Sequence, residues 1–72
     1  MKEKILAQIE KTLNVTSGSI NEDMKIEDIE GWDSLMHVLI IGDLEANLGI
    51  SIPLDQAIEI TTVAELLEKA GV

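Results

Sequence analysis

The stretch from Asp33 to Gly49, DSLMHVLIIGDLEANLG, decides the fold. Asp33 is a good helix N-cap, because its carboxylate can accept from the orphan amides of a first turn. Gly49 supplies the left-handed residue that commonly ends a helix. Between them Leu35, Val38, Ile41, Leu44 and Leu48 recur at helical spacing as one broad stripe. Met36, Leu39 and Ile40 carry apolar character further round. The spacing predicts a helix from Asp33 or Ser34 to about Leu48. A helix this apolar sits at the centre of a bundle, or offers part of itself to a ligand or partner.

Upstream, Ile5, Leu6, Ile9 and Leu13 have the same period and predict an amphipathic helix over about Lys2 to Leu13. Lys4, Gln8, Glu10 and Lys11 read as its solvated face. Asn14 then opens a long connection to Asp33, with Thr16, Ser17, Gly18 and Ser19 near its start. A connection of this length is functional or disordered. Val15, Ile20, Met24, Ile26, Ile29 and Trp32 predict an ordered loop pinned by apolar anchors, with a short helical turn near Ile26 to Ile29. Downstream, Ile50 to Pro53 is extended, since a residue before proline avoids the helical region. Leu54 to Glu59 reads as a short helix. Thr62-Val63-Ala64-Glu65 has the form of a capping box and opens a last helix, with Val63, Leu66 and Leu67 inward and Gly71 closing it. The expected architecture is all-α: three longer helices, one short helix and a long first loop around one core. Residues 1–72 are expected to form one domain.

Composition narrows the function. A chain of 72 residues has room for one modest core, and 46% hydrophobic content can fill it. There is no cysteine, so neither a disulfide nor a thiol nucleophile belongs to the chain itself, and no ligand set suggests zinc. Fourteen acidic residues against five lysines give a formal charge of −9. Such a chain is repelled by nucleic acid and by anionic membrane surfaces and is attracted to basic protein patches, or its acids simply keep a small hydrophobic domain in solution. With no signal-like segment and no apolar run of membrane-spanning length, a cytoplasmic monomer is expected.

Gly31-Trp32-Asp33-Ser34-Leu35 places a serine hydroxyl in the first turn of a helix, directly after a long loop. Helix N-termini favour anions, so a phosphodiester on Ser34 would be well placed there. A serine near a helix start is also commonly just a cap, and three residues leave both readings open. Downstream, without a gap, stand Leu44-Glu45, Leu48, Ile50-Ser51-Ile52-Pro53 and Ile60-Thr61-Thr62-Val63. In this register nearly the whole chain resembles the acyl and peptidyl carrier protein family. That family is a four-helix bundle whose second helix starts with an Asp-Ser-Leu motif bearing the prosthetic group.

The resemblance implies a non-catalytic carrier. Ser34, flanked by Asp33 and Leu35, would hold a 4′-phosphopantetheine arm donated by coenzyme A through a phosphopantetheinyl transferase. The arm would carry acyl groups as thioesters to acyl-activating, acyl-transferring or condensing enzymes of fatty-acid-like or specialised biosynthesis. A peptidyl or aminoacyl carrier of a nonribosomal or cell-envelope pathway is the alternative. Val38, Ile41, Leu44, Ala57 and Ile60 would line the gap that can shelter an acyl chain, and they also read as ordinary core residues, such a pocket being core that can open. In fatty-acid carriers the exposed face of the second helix is acidic. Here helical spacing reads that face as Met36, Leu39, Asp43, Ala46 and Asn47, of which only Asp43 is charged. Met36, Leu39 and Asp43 are therefore candidate partner contacts; His37, one turn after Ser34, is a further candidate for a partner or the phosphate, with a partly exposed helix histidine as the competing reading. Leu39 facing inward is the competing reading.

Other classes fare worse. Asp33, Ser34 and His37 lie within one helical turn, with no second segment to build an oxyanion hole for a hydrolase. Asp23, Glu27, Asp28 and Glu30 lack the spacing and central glycine of an EF-hand. An interaction domain whose Ser34 is never modified stays open.

Overall fold

The computed structural model describes residues 1–72. Four α-helices form in the order α1 (Lys2–Leu13), α2 (Ser34–Leu48), α3 (Leu54–Ala57) and α4 (Val63–Lys69). One 3₁₀ turn, Ile26–Asp28, interrupts the long first loop. The all-α bundle expected from the sequence is thus the observed one. No helix is long and apolar enough to cross a membrane.

The helix ends follow local chemistry. Asn14 adopts a left-handed conformation (φ 58°) to end α1, and Gly49 does the same (φ 69°) for α2. The Asp33 carboxylate accepts from the Met36 amide at 2.8 Å, and the Thr62 hydroxyl accepts from the Glu65 amide at 3.1 Å. The last helix departs from a strict capping box in one respect. Glu65 reaches back past the capping residue and accepts from the Thr61 amide at 3.1 Å and from the Thr61 hydroxyl.

The core is built by Ile5 and Ile9 of α1, Ile40, Ile41 and Leu44 of α2, and Val63, Leu66 and Leu67 of α4. Ile20, Trp32, Ile52, Ala57 and Ile60 close it from the connections and α3. α1 lies closest against α2. A hydrogen bond from the Thr12 hydroxyl to Asp43 at 2.7 Å fixes their register.

The inward face of α2 differs from the stripe expected. Ile40, Ile41 and Leu44 are buried, with Met36, His37 and Leu48 half-buried beside them. Leu35, Val38 and Leu39 point outward. A helix apolar on nearly every side has no single periodic solution, and packing against α1 chooses the face.

The loop is ordered as expected, by more than its apolar anchors. Ile20 and Trp32 are buried and Met24, Ile26 and Ile29 half-buried, whereas Val15 is exposed. The Ile26 amide donates to the Thr61 carbonyl at 3.0 Å, and the Val63 amide to the Met24 carbonyl at 3.1 Å. This antiparallel rung, Lys25 opposite Thr62, ties the loop to the entrance of α4. The reading of Glu10 as solvated is corrected: it is only 6% exposed. Its Oε2 accepts from the amides of Gly18 (2.8 Å) and Ile20 (3.1 Å), supplying one part-buried and one buried backbone donor with an acceptor.

Candidate functional site: the first turn of α2 and its groove

Ser34 is the first residue of α2 and is exposed. The capping acceptor comes from Asp33, so the serine is not needed as a cap. Chain direction is set upstream, where the Trp32 amide donates to the Ile29 carbonyl at 3.2 Å and Gly31 takes a positive φ of 87°. That backbone region suits glycine. The loop therefore delivers Asp33 and Ser34 to the surface while Trp32 stays buried.

Beside Ser34 runs an open groove of about 700 Å³. Trp32, Asp33, Ser34, His37 and Val38 form one wall, Ile58, Ile60, Thr61 and Thr62 another, and Lys25 to Glu27 the end by the 3₁₀ turn. Of the residues expected to shelter an acyl chain, Val38 and Ile60 line this groove. Ile41, Leu44 and Ala57 are closed within the core, as their second reading has them.

The candidate partner contacts separate into two groups. Leu39 is 48% exposed, continuing a line from Leu35 (72%) that Gly42 and Ala46 extend along α2. Met36 is half-buried against the core, and Asp43 is half-buried and held by Thr12.

His37 is also half-buried and fully engaged. Its Nδ1 lies 2.9 Å from the Trp32 indole nitrogen and its Nε2 lies 2.7 Å from the Ala57 carbonyl oxygen. The two rings are tilted, with centroids 5.9 Å apart. The sequence reading singled out His37 without finding these bonds. An aromatic donor five residues upstream was the available signal.

Thr61, in the groove wall, bonds the carboxylate of Glu65. The Thr61 hydroxyl first, and then the Thr61 amide, hold its carboxyl below the usual carboxylate range; desolvation opposes this and Thr62 assists. No group of three His, Cys, Asp or Glu side chains is placed to hold a metal ion.

The bundle thus holds an exposed serine at a helix start, beside an open groove. The chain belongs to the phosphopantetheine attachment site family, whose sequence profile matches residues 3–69. Domains of this family carry a covalent 4′-phosphopantetheine and are carriers rather than catalysts. They work with a phosphopantetheinyl transferase and with acyl-handling enzymes. Neither a curated protein nor a solved structure matches the chain.

Proposed function

We propose that residues 1–72 act as a single acyl carrier domain in the cytoplasm, with the Ser34 hydroxyl as the tether point of the arm. The observation that carries this reading is the exposure of Ser34 at the first position of α2 while Asp33 does the capping. The residues fit a phosphodiester. The helix N-terminus offers its positive dipole end, and the groove leaves room alongside. The bound group supplies a terminal thiol that holds cargo as a thioester, which a chain without cysteine cannot do by itself.

This chain contributes position rather than chemistry. Asp33 fixes the first turn, Trp32 anchors the loop behind it, and Val38, Ile58 and Ile60 offer apolar surface beside it. Intact mass tests the assignment after incubation with coenzyme A, magnesium and a broad-specificity transferase. One added phosphopantetheine that vanishes in Ser34→Ala is the expected result. No gain, or a gain that persists in that variant, refutes it.

Partner enzymes dock, on this reading, on the exposed apolar line of α2 centred on Leu35 and Leu39, with the chain's acidic periphery steering the encounter. An apolar rather than acidic face favours acyl transfer in a specialised pathway over bulk fatty-acid synthesis. Leu39→Glu should raise KM for transfer to the cognate enzyme about tenfold or more while preserving the helical CD spectrum, since a charge at a desolvated contact costs more than 1.4 kcal/mol. Unchanged transfer kinetics would remove α2 as the docking face.

A further inference from the structure

We propose that His37 is a positioning residue that locks the end of α3 and the Trp32 indole to the first turn of α2, and so sets the width of the groove beside Ser34. The importance of that groove rests on the tether reading above; the lock itself stands on geometry alone.

An indole N–H can only donate, and a peptide carbonyl can only accept. Trp32 Nε1 is 2.9 Å from His37 Nδ1, so Nδ1 must be the acceptor. The Ala57 oxygen is 2.7 Å from Nε2, so Nε2 must carry the proton. Both bonds coexist in one form of the ring, the neutral imidazole protonated on Nε2. One side chain thus joins the loop before α2, α2 itself and the end of α3.

Besides this joint, α3 is held by Ala57 and by the core residues Ile52 and Ile60 that flank it. It is four residues long, far below the length at which a helix holds itself together. Only Ala57 within it is buried, while Leu54 and Ile58 are exposed. The Ala57 carbonyl also accepts from the Ile60 amide at 3.2 Å. The same oxygen therefore fixes the turn that places Ile60 in the groove wall. Freeing the His37 bond lets the Ile58–Ile60 wall move away from Val38 and Trp32, which widens the groove.

The lock is tested on the unmodified protein. Long-range ¹H–¹⁵N spectra should show His37 protonated on Nε2 and not on Nδ1. His37→Leu removes both bonds but keeps an apolar body, whereas His37→Gln keeps an acceptor and a donor on one planar group. Loss of a neutral hydrogen bond should speed amide exchange at Glu59 and Ile60 about five- to tenfold in His37→Leu, leave Ile9 in α1 unchanged, and be partly reversed in His37→Gln. A proton on Nδ1, native exchange at Ile60 in His37→Leu, or equal acceleration at Ile9 and Ile60 would overturn the proposal. The coenzyme A assay separates the two readings. Native protein that gains no mass refutes the tether and leaves the exchange result standing, and a normal mass gain with native exchange in His37→Leu refutes only the lock.

Discussion

Glu10 puts a carboxylate under the first loop, where two backbone amides have no other acceptor. Glu10→Ala should cost about 1–3 kcal/mol, the range for leaving buried donors unsatisfied, and Glu10→Gln clearly less, since an amide oxygen can still accept. Urea midpoints of the three proteins check this. The residue was misread because a charged side chain in an amphipathic helix is normally solvated. The contrary signal was present, for Glu10 stands four residues after Leu6 and three before Leu13, on their face. Glu65 makes a second prediction. Its carboxyl is held below the usual range by Thr61, so folding favours the ionised form. Its contribution is therefore present above the unfolded-state pKa and fades as pH falls through the lower folded value. The stability difference between the native protein and Glu65→Gln should shrink on acidification below the usual glutamate range, and the Thr61 amide shift should titrate with it. A difference independent of pH across that range would dismiss this account.

Element boundaries were legible because they are written locally. Lys2–Leu13 and Ser34–Leu48 coincide with the periodic segments, and Asp33, Gly49 and Thr62 occupy the cap positions expected of them. The short α3 ends at Ala57, inside the segment read for it. Facing was not legible. In α2, Leu35 and Val38 looked like part of the inward stripe and are exposed, because only the neighbour α1 distinguishes one apolar side from another. For the candidate site, the placement of Ser34 at a helix start could be read from sequence. The Trp32–His37–Ala57 chain could not, since it spans a loop, a helix and a third segment. Gly42 offers a test at this scale. It lies within α2 on the exposed side, and an added Cβ would meet nothing within 4 Å. Gly42→Ala should stabilise the fold by about 0.5–1 kcal/mol through helix propensity, read as a higher melting temperature. A lower melting temperature would mean that α2 is not held as described.

The whole molecule measures 26 × 21 × 20 Å, and a fifteen-residue helix is about 22 Å long at 1.5 Å per residue, so α2 runs nearly its full length. α1 lies along that axis, and the middle of the first loop is tied to the entrance of α4. A charge of −9 on so small a body should make association with basic partners fast at low ionic strength. Raising salt from 0.01 to about 0.15 M shortens the Debye length from about 30 to 8 Å, so association rates should fall much more than dissociation rates change. Equal salt sensitivity of both rates would argue against steering. The rung between Lys25 and Thr62 has a consequence in time rather than space. Glu10 and His37 hold the two ends of the first loop through partners close in sequence, but its middle at Lys25 is secured only when the entrance of α4 arrives from far along the chain. Closing so long a loop is entropically late. Substitutions at Val63 should therefore speed unfolding while leaving the refolding rate nearly unchanged. The middle of the first loop would then be among the last parts of the protein to settle, after the local turn that presents Ser34.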